Sequence, residues 1–312
     1  MKNRVLVLLA AVVVVASCTR VQVLYQPVEG WSDEINGRIV NFLDSTKSVT
    51  GRKVAVFDCD GTVFGQVPYY LADEALYRYA DEVLRKRNDD EAGIKLSILE
   101  SMVEHGDNVS KRYVEDRVHF LAGLTPGEIE EIGYQTYLSS YQGKFYPEMK
   151  ELIENLKRYD FEIYIITASP EILYQKFVAR ELGIPEVNVI GVKSVVKEGI
   201  TTSEIILPIP QDDGKAHAIE TFIKTRPLIV GGNSRGDMDM VNESSGLKMM
   251  VNPDDVTVRG PADGPMSGHT VKSFWEKEGA LILKCNDVTE PGIEFSTKGW
   301  GIKTNMAHPK NN

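Results

Sequence analysis

The sequence predicts an α/β protein: a parallel sheet covered by helices, with a block of helices inserted after the first strand. Three observations carry this expectation. Short apolar runs rich in β-branched residues recur at 53–58, 161–167, 187–192, 228–232 and 247–251, each the length of a buried strand. Helical patterns separate the later runs, and strands alternating with helices imply right-handed crossovers and a parallel sheet. The gap between the first two runs is about 100 residues long and shows helix periodicity without a strand pattern.

The elements follow in order. The run from Lys53 to Asp58 is apolar and closes on an acid, as a buried strand does at its carboxyl end. From 66 to 143 the pattern is helical: Leu71, Ala75, Leu76 and Tyr79 fall on one face, and Ile94, Leu96, Leu99 and Met102 on another. Thr125-Pro-Gly-Glu128 reads as a capping box with proline at the first helical position, followed by Ile129, Ile132 and Tyr137. Pro147 opens a helix with Met149, Leu152, Ile153 and Leu156 on one face; Pro170 opens another that stops at Gly183. Beyond about Asp254 the chain is rich in Gly, Pro and Asn and gives no clear pattern.

Composition excludes several classes. Thirty-five basic against 45 acidic side chains give a net charge of −10, and no Lys/Arg-rich run is present, so no nucleic-acid partner is expected. Three cysteines cannot build a disulfide scaffold or a four-cysteine zinc site. No apolar run reaches 18 residues, which excludes a polytopic membrane protein.

The N-terminus reads as an address. Lys2 and Arg4 precede an unbroken apolar run, 5–16, and the small residues Ala16 and Ser17 precede Cys18. Val15-Ala16-Ser17-Cys18 resembles the lipobox of bacterial lipoproteins, which implies acylation of Cys18. Each acyl chain would contribute about 0.8 kcal/mol per buried CH₂. The expectation is a lipid-anchored protein of a bacterial cell envelope, facing the periplasm or the exterior. Cys59 and Cys285 are expected to remain free thiols.

Four short segments carry the chemistry. The first is Asp58-Cys59-Asp60-Gly61-Thr62. Ligands of open parallel sheets bind beyond the carboxyl ends of strands, and two carboxylates at i and i+2 can point into one crevice where Gly61 lets the chain turn. Such a pair can hold Mg²⁺, which prefers oxygen ligands, or act as nucleophile and proton carrier. The second is Thr167, ending the run 161–167. The third is Gly214-Lys215, opening a later helix. The fourth is Gly232-Asn233-Ser234-Arg235-Gly236-Asp237, following the run 228–232.

Together, in this order, these segments resemble the four motifs of the haloacid dehalogenase-like (HAD) hydrolases over about 53–251. The resemblance implies a Rossmann-like parallel core with an inserted α-helical cap, similar to phosphoserine-phosphatase-like enzymes. It implies that Asp58 is the nucleophile, forming an aspartyl-phosphate, and that Asp60 protonates the leaving group and then activates water. Thr167 and the backbone N–H groups at Cys59, Gly61 and Ala168 would bind the phosphoryl group, and Lys215 would neutralise it. Mg²⁺ would be held by Asp58, the Asp60 carbonyl and the acidic loop, with Asp237 as the main loop ligand and Asn233 as a neutral one. Asn233 departs from the family pattern, which has aspartate there.

Asp60 favours phosphate esters, because the dehalogenases lack an acid at that position and the phosphonatases carry a small residue. The expected substrate is a small phosphorylated metabolite; no protein partner can be inferred. Phe64, Tyr69 and Tyr70 are candidates to line the closed pocket. The alternative is a ligand-binding lipoprotein that keeps the fold without turnover. The expected organisation is a signal at 1–17, a tether at 18–30, the core at 31–65 and 144–300, the cap at 66–143 and a loose tail at 301–312.

Overall fold

The computed structural model describes residues 25–65, 67–286 and 293–302. The signal, Cys18 and the tail beyond 302 lie outside the described residues. In chain order, α1 (Asp33–Ser45) leads into β1 (Lys53–Asp58). The inserted segment then contributes α2 (Leu71–Glu82), α3 (Asp90–His105), α4 (Lys111–Leu121) and α5 (Pro126–Thr136). The core resumes with α6 (Pro147–Arg158), β2 (Phe161–Pro170), α7 (Glu171–Leu182), β3 (Val189–Lys197) and β4 (Ile200–Ile206). It closes with α8 (Asp213–Ala218), β5 (Ile229–Gly232), α9 (Met238–Asn242), β6 (Leu247–Val251), α10 (Val271–Lys277), β7 (Leu281–Leu283) and α11 (Ser296–Gly299).

The seven strands form one sheet of order β4-β3-β2-β1-β5-β6-β7. All neighbours are parallel except β3 and β4. Both faces are covered, and β1 shows how. Ala55 and Phe57 pack into the layer that holds Ile39, Leu152 and Phe177. Val54 and Val56 point the other way, into the layer of Val230, Met250 and Trp275. A strand buried on both faces reads as a continuous apolar run rather than an alternating one, which is why β1 is legible. The chain runs from β1 to β2 and β3 on one side, then returns to β5 on the other. The carboxyl ends of β1 and β5 therefore flank the point where strand order reverses, the place where open sheets bind ligands.

The edges of the sheet differ from expectation. The run 187–192 becomes a strand only from Val189, and Val187 is 77% exposed. β4 was not legible as a strand. It pairs antiparallel with β3 across Glu198 and Gly199, both at positive φ, as a two-residue hairpin turn requires. β7 and α10 come from the stretch beyond 254. The sheet is therefore mostly, not wholly, parallel.

The inserted segment is helical among its described residues. The Thr125 box forms as expected: Glu128 N–H donates to Thr125 Oγ1 at 3.2 Å, and Thr125 N–H to Glu128 Oε2 at 2.7 Å. On α3, however, Ile94 is 64% exposed. The face turned toward α4 carries Lys95, Leu99 and Met102 instead, and the Lys95 amine donates to the carbonyls of Phe120 and Ala122.

Both expected chain-end boundaries shift. Residues 25–30, assigned to a tether, are pinned to the core: Gln26 and Asn155 exchange two hydrogen bonds of 2.8 Å, and Val28 is 1% exposed. At the other end, Ile302 is buried. α11 does not sit on the core but on α2 of the insert. The buried Glu74 carboxylate accepts from Ser296 N (3.0 Å), Thr297 N (3.0 Å) and Thr297 Oγ1 (2.6 Å). Trp300 donates to Asp81 at 3.0 Å and lies 4.3 Å from the Arg85 guanidinium. On the opposite side, Thr201 of β4 exchanges backbone hydrogen bonds of 2.9 Å with Gly123 and Leu124, between α4 and α5.

Glu74→Ala removes the acceptor of three donors, two of them buried, so it should lower unfolding stability by about 3 kcal/mol. Glu100→Ala, at an exposed position of α3, should stay within about 0.5 kcal/mol of the parent. Urea denaturation followed by circular dichroism measures both.

Candidate active site

Asp58 ends β1 and is 6% exposed. Its Oδ1 accepts from Lys215 Nζ at 2.5 Å and its Oδ2 from Thr62 Oγ1 at 2.9 Å. The chain then turns tightly. Gly61 adopts φ +87°, a region that suits glycine, and the N–H groups of Thr62, Val63 and Phe64 all point at the Cys59 carbonyl within 3.1 Å. The turn brings Asp60 back to the crevice, where Asp58 and Asp60 line one cavity of about 370 Å³.

One expected phosphoryl donor is not free. Gly61 lines the cavity, but its N–H is spent on the Phe64 carbonyl at 2.7 Å. The Cys59 side chain is fully buried in the core, and burial pushes its thiol up. Cys59 and Cys285 are both free thiols, as expected.

Asp60 holds two hydroxyls. Tyr174, from the first turn of α7, donates to Oδ1 at 3.1 Å, and Thr167 Oγ1 approaches Oδ2 at 3.4 Å. Burial raises the Asp60 carboxyl to about 6. Thr167 is 1% exposed and also accepts from Ser169 N–H at 3.1 Å. Thr167, Ala168 and Ser169 line the cavity where the β2–β3 pairing shifts register.

Lys215 reaches the site from α8 because Gly214 lets the helix start against the preceding loop: a Cβ at 214 would stand 1.9 Å from the Ile209 carbonyl oxygen. Its ammonium lies between Asp58 and Asp237, donating to Asp237 Oδ1 at 2.6 Å. Asp237 is fully buried. Its other oxygen accepts from Asn233 N (3.0 Å), Ser234 N (2.9 Å) and Ser234 Oγ (2.9 Å).

This corrects the expectation that Asp237 is the main cation ligand. Both its oxygens are occupied and it does not line the cavity; it holds Lys215 and closes the loop instead. Of the loop residues that line the cavity, Asn233 is the one whose side chain offers an amide oxygen. Burial pushes the Asp58 carboxyl above its ordinary value against the pull of Lys215. Burial opposes ionisation at Asp237 too, yet the lysine and the loop N–H donors hold that carboxyl below its ordinary value. One ammonium cannot neutralise both acids, and besides it Asp237 has three hydrogen-bond donors where Asp58 has one, the Thr62 hydroxyl.

Several wall residues were not read from the sequence. Arg117 of α4 is 3% exposed and lines the cavity; its Nε donates to the buried Asp73 at 2.8 Å and its Nη2 to the Asn108 carbonyl at 3.2 Å. Arg259 and Arg235 stand at the same wall. Arg117 could have been found, because it shares a face with Tyr113 and Val114, where a charge needs a buried partner. Arg259 belongs to the unreadable stretch. Of the three aromatic candidates only Tyr70 reaches the cavity. Phe64 packs among Tyr141, Phe145 and Phe177, with ring centroids 5.1–5.9 Å away, and Tyr69 packs on Phe295 at 5.4 Å.

A family model described as haloacid dehalogenase-like hydrolase matches residues 55–242. Among solved structures, a conserved protein of unknown function from Anaerococcus prevotii DSM 20548 superimposes with a TM-score of 0.60 at 15% identity, covering 81% of this chain and 92% of that one. A protein of unknown function from Bordetella pertussis Tohama I gives 0.55 at 15% identity, covering 75% and 99%. These likenesses show the fold alone. A phosphoserine phosphatase solved as a phospho-aspartyl intermediate analogue gives 0.40 at 16% identity, covering 73% and 99%, a score that carries no argument. No curated protein matches the sequence.

The site's residues fit Mg²⁺. Among the described residues no three His, Cys, Asp or Glu side chains are grouped to hold a metal, so a cation here would rely on mixed oxygen donors. Asp58, Asp60 and Asn233, which all line the cavity, would supply that set, and hard oxygen donors suit Mg²⁺. The Asn233 side chain is 7% exposed and lines the cavity, and among the described residues a hydrogen bond engages its backbone N–H but not its side chain. Asn233→Ala should weaken Mg²⁺ binding by at least about tenfold in calorimetric titration. Ser234→Ala, which removes one of three donors to Asp237, should change it by less than about threefold.

Proposed function

The chain belongs to the haloacid dehalogenase-like hydrolases, and from that footing we propose that it is a Mg²⁺-dependent phosphomonoester hydrolase acting on a small phosphorylated metabolite. One observation carries the reading: the Asp58 carboxylate, held by Lys215 at 2.5 Å, faces the same cavity as Asp60, a second acid with a raised pKa. A nucleophile and a proton carrier two residues apart are what a two-step ester hydrolysis needs. A cavity of about 370 Å³ suits a small ligand.

In the first step an Asp58 oxygen attacks phosphorus and the ester P–O bond breaks. Asp60 gives its proton to the departing alkoxide, which leaves as an alcohol. In the second step Asp60 takes a proton from water, and the resulting hydroxide attacks phosphorus. Asp58 is regenerated and inorganic phosphate departs. Lys215 and Thr167 stabilise the phosphoryl oxygens throughout; because they are fixed in advance, they spend no free energy on reorganisation. Asp237 acts through Lys215, keeping the ammonium charged and aimed at Asp58. Mg²⁺, held by Asp58, the Asp60 carbonyl and Asn233, would supply further neutralisation of phosphate charge.

From the lipobox-like Val15-Ala16-Ser17-Cys18 segment we propose that the protein is held at a bacterial cell envelope by lipid on Cys18. Mass spectrometry of the membrane-extracted N-terminus should find an acylated cysteine; a soluble form that starts elsewhere would reject the anchor. For the chemistry, a panel of phosphate esters with and without Mg²⁺ is the direct test. Asp58→Asn should cut kcat by at least about 10³-fold with the circular dichroism spectrum unchanged. Substantial turnover by that variant would remove Asp58 from the nucleophile role.

A further inference from the structure

We propose that Tyr174 is the positioning residue for Asp60, fixing the acid in the orientation that delivers its proton to the leaving group; this rests on the phosphatase reading above. Asp60 has two hydroxyl partners of unequal standing. Thr167 Oγ1 is 3.4 Å away and Tyr174 Oη is 3.1 Å away. In that reading Thr167 donates to a phosphoryl oxygen. A hydroxyl carries one hydrogen, so Thr167 cannot serve the phosphate and Asp60 at once. When substrate is bound, Tyr174 remains as the side-chain donor to Asp60 among the described residues.

The phenol is well placed for this. Tyr174 is fully buried, and its ring packs on Phe177 with centroids 5.1 Å apart. Its helix is fixed from both sides. α7 begins directly where β2 ends, and its Leu173 backbone touches α5 so closely that a Cβ on Gly133 would stand 2.0 Å from the Leu173 carbonyl oxygen. Asp60, by contrast, precedes the Gly61 turn, and a carboxyl on a turn rotates unless something holds it. With Oδ1 tied to Tyr174, the Oδ2 edge is the one that carries the proton toward substrate. The insert and the acid are thereby connected through one helix.

Leaving groups separate a positioning role from a structural one. p-Nitrophenolate leaves without a proton, whereas an alkoxide needs one. The test compares the full chain, Tyr174→Phe, Tyr174→Met and Asp60→Asn on p-nitrophenyl phosphate and on the best alkyl phosphate of the panel. Tyr77→Phe is the control; its buried hydroxyl meets Tyr113 at 3.2 Å and lies outside the cavity. Tyr174→Phe should lower kcat on the alkyl ester about 10- to 100-fold and on the aryl ester less than about threefold, with KM little changed. Tyr174→Met should give the same ratio, Asp60→Asn a larger one and Tyr77→Phe none. An unchanged alkyl-to-aryl ratio in both Tyr174 variants, or equal losses on both esters, overturns the proposal while leaving the phosphatase reading intact if Asp60→Asn remains selective. A wild-type chain that hydrolyses no phosphomonoester overturns both.

Discussion

The site is organised around one ammonium group between two buried carboxylates. Lys215 lies 2.5 Å from Asp58 and 2.6 Å from Asp237, and all three are nearly closed to solvent. A buried charge is tolerated only when paired and hydrogen-bonded, so the three elements that deliver these groups must meet in one arrangement. β1 brings Asp58, α8 brings Lys215, and the loop after β5 brings Asp237. The loop can do this because Gly232 admits the Asp237 side chain: a Cβ at 232 would stand 2.5 Å from that of Asp237. With a single ammonium between the two carboxylates, a cation beside Asp58 would relieve the remaining negative charge.

The sheet supplies the other constraint. Strand order reverses at β1 and β5, which opens a gap beyond their carboxyl ends that neighbouring crossovers do not cover. Phe57 pairs in register with Gly231, and the next residues on each strand lead into the Asp58 and Asn233 turns. Close packing at that pair leaves no room for a side chain, since a Cβ on Gly231 would meet the Phe57 ring at 2.7 Å. The distance between Asp58 and the loop is therefore set by main-chain pairing rather than by flexible side chains.

Legibility followed burial. β1, β2, β5 and β6 are interior strands whose apolar runs report their own environment, and each was found close to its true bounds. β4 is an edge strand with four of its seven residues exposed, so its pattern resembles a polar loop; β7 is three residues long. The Asp58–Thr62 turn was legible because it needs particular residues at fixed spacing. The role of Asp237 was not, because sequence cannot say which way a carboxylate points once a lysine competes for it. Tyr174 was hidden for a related reason: on an apolar helix face a tyrosine reads as core, and only its hydroxyl's partner distinguishes the two.

The fastening of the helical insert has a mechanical consequence. The chain enters and leaves it through adjacent crossings, joined by Gly65 N–H to the Lys144 carbonyl at 2.7 Å and Tyr146 N–H to the Val63 carbonyl at 3.1 Å. Two crossings side by side define a hinge with one free rotation. Here Thr201 of β4 latches one flank, so that rotation cannot begin until its hydrogen bonds with Gly123 and Leu124 part. A ligand larger than the mouth of the resting cavity of about 370 Å³ would then enter only as often as that latch opens.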